Sequence, residues 1–324
     1  MEHKDYVIHY RNLQFIESLG AKITEVKEIV EFDQKDWMAS YIQFNTERRK
    51  EARNDFEKEF FKLMNNSVFG KTMEQVKNMM KLHITTDEQN AKKWFSKINL
   101  KGRRKFDGMH LIEMYHTEIE YDKPLYVGST ILDLSKLHMM DFHYNVIEKN
   151  FKGRYHLCYT DTDSFIYSIQ HDDIYEWIKD NRELFDLSGS YREDMRDRTN
   201  AKVLGKFKDE KNGLLIKEVL AMNPKVYSLE HQHYDENGVY HEDYNTKKLK
   251  GLSKVVVKKN LKHEDYNSAL TTDQAIARNT TSLRSFNHNV YTYTQTKVAL
   301  TSWCDKMVML DSVNGEPFGY KGCN

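Results

Sequence analysis

The sequence predicts an α+β chain in which helices and antiparallel hairpins occupy separate stretches. Three observations carry this. A long, strongly charged run from Asn45 to Phe61 has helical character, with Phe56, Phe60 and Leu63 recurring at spacings of four and three as a stripe to bury. Tyr155-His156-Leu157-Cys158-Tyr159 and Phe165-Ile166-Tyr167-Ser168-Ile169 alternate with period 2 around a short polar turn, which predicts a hairpin. Leu214 to Leu229 reads as a second pair of strands.

Taken in order, residues 6–32 open with a strand-like run, Tyr6-Val7-Ile8-His9-Tyr10, followed by Leu13, Phe15, Ile16, Leu19 and the stretch Ile23 to Val30. Residues 45–80 are expected to be mostly helical, interrupted near Gly70, where a helix could end. Lys101-Gly102-Arg103-Arg104-Lys105-Phe106 reads as a basic loop, able to meet a phosphate backbone or simply to aid solubility. Thr117 to Gly128 reads as strands, and Leu132 to Phe151 as a helix with Leu134, Leu137, Val146 and Ile147 among its apolar positions and Gly153 after its end. After the hairpin, Ile174 to Phe185 reads as an amphipathic helix. Near the end, Lys247-Lys248-Leu249-Lys250-Gly251-Leu252-Ser253-Lys254 leads into Val255-Val256-Val257-Lys258-Lys259, a β-branched run flanked by cations that suit a duplex backbone.

Composition narrows the class. Among 324 residues, 49 Lys and Arg balance 49 Asp and Glu, whereas a nucleic-acid footprint is usually basic. The balance hides segregation: residues 247–262 hold seven lysines and no acid, and residues 172–197 are rich in Asp and Glu. The three cysteines, Cys158, Cys304 and Cys323, form no Cys-x-x-Cys pair, which argues against zinc and disulfide frameworks; Cys158 is expected to pack within a strand. No apolar run approaches the roughly 20 residues needed to span a bilayer, and Met1-Glu2-His3-Lys4-Asp5 lacks a signal-peptide pattern. The expectation is a soluble protein of a reducing compartment, with no membrane partner.

Two stretches carry chemistry. In Tyr159-Thr160-Asp161-Thr162-Asp163-Ser164, two carboxylates sit two residues apart at the tip of a hairpin. Mg²⁺ favours one or two carboxylates on a firm support, with other positions left for water and phosphate. A tight turn whose Asp and Thr bond only the local backbone fits the same residues. In Lys62-Leu63-Met64-Asn65-Asn66-Ser67-Val68-Phe69-Gly70, Lys62 and Asn66 share one helix face and Phe69 lies near it. An ammonium for phosphates and a ring for a sugar or base would make a nucleotide surface; an ordinary amphipathic helix with an exposed lysine is the other reading. Arg48, Arg49 and Lys50 precede Lys62 by 12 to 14 positions, and one of them could face a triphosphate or only solvent.

Together, Lys62-x-x-x-Asn66-Ser67-x-Phe69-Gly70 and Tyr159-x-Asp161-Thr162-Asp163-Ser164 resemble the second and third motifs of family B DNA polymerases, in order and separation. Asn223-Pro224-Lys225-Val226-Tyr227 looks like the Lys-x-Tyr element of the protein-primed members. The surrounding text, including Phe44-Asn45-Thr46-Glu47, Asp55-Phe56-Glu57-Lys58, Lys71-Thr72-Met73-Glu74 and Leu204-Gly205-Lys206-Phe207-Lys208-Asp209-Glu210, is similar to polymerases of Polinton or Maverick transposons and related viruses. The resemblance runs from about Tyr6 to near the C-terminus.

The resemblance implies a right-hand polymerase fold without the N-terminal exonuclease domain. Residues 1–44 would end a palm or terminal-protein-region-like insertion, 45–80 would be fingers, 81–230 palm with an insertion near 81–115, and 231–324 thumb. It implies template-directed DNA synthesis by a two-metal mechanism on a DNA template-primer with dNTPs, and a terminal primer protein as partner. Asp163 would be the principal Mg²⁺ ligand, with Asp161 secondary. Lys62 would bind the triphosphate and stabilise its developing charge, Asn66 and Phe69 would shape the nucleotide pocket, and Arg49 or Lys50 would assist. Tyr159, Thr160 and Ser164 would support the hairpin, Lys225 and Tyr227 would hold the primer, and Lys250 and Lys254 would meet the duplex.

One departure matters. The family's first motif, Asp-x-x-Ser-Leu-Tyr-Pro, supplies a principal metal ligand, and none of Pro124, Pro224 and Pro317 follows Ser-Leu-Tyr. The acidic exonuclease motifs are not visible either. The chain is therefore expected to match the C-terminal part of a polymerase, weak or inactive alone, with an upstream polymerase half supplying the missing aspartate. The alternative is a non-catalytic DNA-binding remnant. A nucleotide-sugar transferase also uses Asp-x-Asp on a metal, but the lysine helix and the missing secretory features count against it.

Overall fold

A computed structural model describes residues 3–235, 237–286, 289–304, 307–310 and 315–317. Its mixture of helices with small antiparallel sheets is α+β. The chain divides into two compact units, one of residues Ile8–Ser135 and one of Lys136–Asn324 with Met1–Val7.

The unit Ile8–Ser135 begins with α1, Tyr10–Ser18, so the strand-like run ending at Tyr10 is not a strand. Residues 21–36 follow with neither helix nor strand, although Ile23, Val26, Ile29 and Val30 are β-prone. A strand needs a ladder partner, and pattern alone does not provide one. Next come α2, Ala39–Glu51, and α3, Asp55–Thr72. The break between them falls at Ala52 to Asn54 and not near Gly70, which lies inside α3. Asn54 sets it: its backbone is extended and its side chain accepts the Glu57 N–H at 2.8 Å, an N-cap. The two helices pack as an antiparallel hairpin, joined by Tyr41 Oη donating to the Met64 carbonyl and by Asn65 Nδ2 donating to Thr46 Oγ1 at 3.3 Å. The stripe expected to be buried is exposed: Phe56, Phe60 and Leu63 are 79%, 44% and 58% accessible. Polar Asn45 is buried in their place.

The basic segment expected as a loop is a strand. β2, Leu100–Phe106, joins β1, Lys81–Thr85, and β3, Met109–Met114, in an antiparallel sheet of order β1-β3-β2. A register shift between Leu100 and Gly102 accommodates its glycine. Helix α4, Glu88–Phe95, covers one face and buries Ala91 against Ile112 and Met114. Lys101 is held by Glu113 at 2.6 Å, and the Arg103 guanidinium lies 5.0 Å from the Phe95 ring centre, so the sheet itself engages part of the basic cluster. Residues 117–124, expected as strands, are irregular, and helix α5 starts at Leu125 and runs to Asp141. Gly128 is where α5 meets the end of α3: a Cβ there would lie 2.3 Å from Met73 Cγ and 2.6 Å from Thr72 Oγ1.

In the second unit, the helix continues through a π-helical segment, Phe142–Glu148, and a last turn α6, Lys149–Phe151. Gly153, at φ +73°, turns the chain back, and the hairpin of β4, Tyr155–Asp161, and β5, Ser164–Ile169, follows as expected. Phe142, Ile147 and Phe151 pack with Phe165, Tyr167 and Ile169 of β5 and with Trp177 of α7, Ile174–Asp180. The helix expected to reach Phe185 therefore stops five residues earlier, with a 3₁₀ turn at Arg182–Leu184. A second sheet of order β6-β7-β8 comprises Ile216–Asn223, Val226–Tyr234 and Tyr240–Leu249. Its core, Leu220 and Met222 with Val257, Leu261, Tyr266 and Leu300, brings in α8, Lys254–Asn260, and α9, His263–Thr271. The β-branched run Val255 to Val257 is thus helical, started by Ser253 accepting the Val256 N–H, because Val257 gains a buried place that outweighs its weak helix preference. A long two-stranded ribbon follows, β9, Ile276–Phe286, paired with β10, Asn289–Leu300. Among the described residues, no helix is long and apolar enough to cross a membrane. Cys158, in β4, and Cys304 are free thiols, and Cys323 lies outside the described residues.

Two outcomes follow from this packing. Gly128→Ala should lower the thermal midpoint, because overpacking against Met73 and Thr72, about 1–3 kcal/mol, exceeds the helix-propensity gain of about 1 kcal/mol. The second concerns His231, whose Nδ1–H donates to the Gln232 carbonyl, leaving Nε2 to accept from Lys211 Nζ at 2.9 Å and Thr246 Oγ1 at 2.7 Å. Burial, with Lys211 nearby, holds its pKa below the ordinary value, and burial does the same to His143. A histidine kept neutral in the fold stabilises it above the unfolded pKa of about 6.5, and that contribution fades as pH falls below it. Urea midpoints should drop between pH 7.5 and pH 5.5, and His231→Gln should lower the midpoint at pH 7.5 while flattening the drop.

Candidate functional site

The β4–β5 hairpin closes through two residues, Thr162 and Asp163, with Asp161 paired to Ser164. The Asp163 N–H donates to the Asp161 carbonyl at 2.6 Å, an i→i+2 turn centred on Thr162 at φ +57°. This is the strained γ-turn, and a β-branched residue there costs about 1–3 kcal/mol. Thr162 compensates locally, its hydroxyl donating to Asp161 Oδ1 at 3.1 Å, while Ser164 Oγ donates to the Asp161 carbonyl at 3.3 Å. The turn therefore holds the Asp161 carboxylate, which is half-buried, and presents Asp163 exposed beside it.

A second hairpin tip meets the first. Between β6 and β7 the turn is Asn223-Pro224-Lys225-Val226, with Asn223 paired to Val226 and Lys225 at φ +64°. Proline followed by a positive φ is the pattern of a type II turn, whose third position ordinarily takes Gly or Asn. Lys225 occupies it and makes two bonds to β4. Its N–H donates to Tyr159 Oη at 2.7 Å, and its Nζ donates to Asp161 Oδ2 at 2.6 Å. The Tyr159 and Tyr227 rings lie 4.9 Å apart behind this contact. Hydrogen bonding to Lys225 holds the Asp161 carboxyl below its usual range, and Lys225 is raised in return, first by that bond and further by the charges of Asp161, Tyr159 and Asp163. Burial raises the Tyr227 phenol. Sequence reading gave Lys225 a phosphate and missed its bond to Asp161. The available signal was a lysine directly after proline in a hairpin turn, where glycine is expected.

The remaining residues singled out from sequence fall elsewhere. Thr160 is exposed on β4. Lys62 and Asn66 are exposed on α3, and Phe69 is half-buried there; Lys62 stands 3.8 Å from Glu59. Arg49 and Lys50 lie in the last turn of α2. These five belong to the unit Ile8–Ser135, and the hairpin tips to the other. Lys250 and Lys254 are exposed at the turn into α8 and at its first residue. Lys247, by contrast, turns inward and donates to the Leu261 carbonyl, so it is committed to the end of α8.

The ribbon adds a surface that the motifs did not reveal. Residues 274–304 contain no Asp or Glu. The register pairs Arg278 with Lys297, Ser282 with Tyr293 and Arg284 with Tyr291, so these cations and aromatics share one face. The opposite face pairs Asn279 with Thr296, Thr281 with Thr294 and Leu283 with Thr292. Arg278 is tied to Asp265 at 3.0 Å and anchors the ribbon root, while Arg284, Tyr291, Tyr293 and Lys297 are exposed.

Two carboxylates at a firm tip fit a hard cation that shares its shell with phosphate and water. Among the described residues no group of three or more His, Cys, Asp or Glu side chains gathers as a self-sufficient metal cage. In ¹³C titrations, the Asp161 carboxyl should have its midpoint below the ordinary carboxylate range, and Lys225→Met should move it up, since the lysine bond is the main cause of the depression. An unchanged midpoint would show that the ion pair does not persist in solution.

No protein-family model, curated protein or solved structure matches this chain.

Proposed function

We propose that the chain serves template-directed DNA synthesis, as the fingers, most of the palm and the thumb of a protein-primed-type family B DNA polymerase with a right-hand fold. The observation that carries this reading is the pair of hairpin tips, Asp161-Thr162-Asp163 against Lys225, in the order and chemistry of the resembled motifs. Asp163 and Asp161 would hold Mg²⁺, which when bound supplies charge neutralisation at the attacking and leaving oxygens. Tyr159 and Tyr227 would set the floor beneath the primer end, with Lys225 reaching its phosphate. Lys62 would take the triphosphate, with Asn66 and Phe69 bounding the nucleotide and Arg49 or Lys50 assisting. A two-metal clamp needs more acid than this tip holds. Efficient turnover is therefore proposed to need a further carboxylate, and a terminal protein would supply the primer.

The ribbon favours a second reading, DNA binding without turnover. A cationic, aromatic face free of carboxylates can follow a phosphate backbone whether or not chemistry occurs at the hairpins.

The test is a primer-template with a recessed 3′ end, with binding followed by anisotropy and dNTP addition followed by gel. The polymerase reading expects binding at low salt and slow Mg²⁺-dependent addition of the complementary nucleotide. Asp163→Asn should reduce that addition by on the order of 100-fold or more while leaving binding intact. Binding without addition selects the second reading, and no binding at low salt overturns both. Under either reading, removing both Arg284 and Lys297 should weaken binding on all sequences alike and reduce the salt slope by about two units.

A further inference from the structure

We propose that Lys225 is a resident counter-cation that the site exchanges for a divalent metal when a phosphate strand arrives, so that metal and nucleic acid reinforce one another's binding. The inference rests on the proposed use of the hairpin tips and names the regulation of that site.

The lysine stands where a cation would stand. Its Nζ is 2.6 Å from Asp161 Oδ2, and the other carboxylate oxygen accepts from Thr162, so both oxygens of Asp161 are engaged. Asp163, two residues on, is exposed and electrostatically coupled to the same ammonium. A divalent ion entering between these carboxylates meets Lys225 as a like charge in contact with one of its ligands. It binds well only if that ammonium leaves.

The geometry lets it leave. The backbone of Lys225 is fastened separately, by its own N–H to Tyr159 Oη and by the ladder pair Asn223–Val226. The side chain is 52% exposed and crosses from one hairpin to the other through Nζ alone. Rotating the ammonium off Asp161 therefore breaks one contact and leaves the two tips joined. A phosphate in reach gives the ammonium a new partner and frees Oδ2 for the metal. The charges balance: the ammonium departs to a phosphate that the ligand brings, and the divalent ion that replaces it at Asp161 has its second charge met by the Asp163 carboxylate. Linkage then requires reciprocity, the factor by which DNA tightens the metal equalling the factor by which the metal tightens DNA.

The experiment measures Mn²⁺ binding by the EPR signal of the free ion, with and without a primer-template lacking any dNTP, so that no turnover enters. Wild type should bind Mn²⁺ weakly alone and at least about 5-fold more tightly with DNA. Lys225→Met should bind it more tightly than wild type without DNA and gain less on adding DNA. Lys225→Arg should restore the dependence, and Asp163→Asn should lose Mn²⁺ in every background. Circular dichroism checks that each variant is folded. If wild type and Lys225→Met take up Mn²⁺ equally, or if DNA has no effect on wild type, the exchange is overturned while the metal reading stands. If no protein takes up Mn²⁺ under either condition, the metal reading and the exchange fall together.

Discussion

Two hairpin tips meet in the second unit, through an ion pair and a backbone hydrogen bond. Lys225 and Asp161 are 64 residues apart in sequence, and each sits beside or at a residue forced into positive φ. Neither tip needs its strain in order to turn; glycine or asparagine would turn the chain at less cost. What the strain secures is direction. The Asp161 carboxylate, bonded by Thr162, meets the Lys225 ammonium of the other hairpin, whose backbone N–H reaches Tyr159 Oη beside it. The sheets behind these tips, β4–β5 on the helix ending at Phe151 and β6–β7–β8 on α8 and α9, are built from separate cores. The paired tips are one place where their positions relative to one another are specified.

The β4–β5 hairpin was legible because its information is local. A period-2 pattern on both sides of Asp-Thr-Asp-Ser leaves few other structures, and Gly153 marks where the preceding helix must stop. The second hairpin was legible for the same reason. The failures were of another kind. Phe56, Phe60 and Leu63 have helical spacing and are helical, yet a spacing cannot say which face meets a partner. In the α2–α3 hairpin, Asn45 and Asn65 face inward and the phenylalanines outward. Lys101 to Phe106 looks like a loop by composition, but β3 offers it a ladder and α4 a ring for Arg103. Val255 to Val257 is β-prone by itself and helical because a core is waiting. In each case a packing partner outside the segment decided, and residue type gave no sign of it.

The candidate site divides along the same line. Residue types at Asp161, Asp163, Lys62 and Tyr227 suggested chemistry from sequence, whereas the contact that joins Asp161 to Lys225 required the fold. The basic content was partly misleading: Lys101, Arg278 and Lys247 are held by acids or carbonyls within the protein, and composition counts them equally with Arg284 and Lys297. A neutral net charge is thus compatible with an acid-free ribbon, because the compensating carboxylates are elsewhere in the chain.

The ribbon also has a length. β10 contains 12 residues, which at about 3.3 Å per residue spans about 40 Å. One turn of B-form DNA rises about 34–36 Å. A face of this length laid along a duplex would touch phosphates on both sides of a groove within a single turn, and it would do so at one rotational setting. On the proposed reading, the ribbon then acts as a protractor as well as a grip: it sets the angle at which the duplex presents its end.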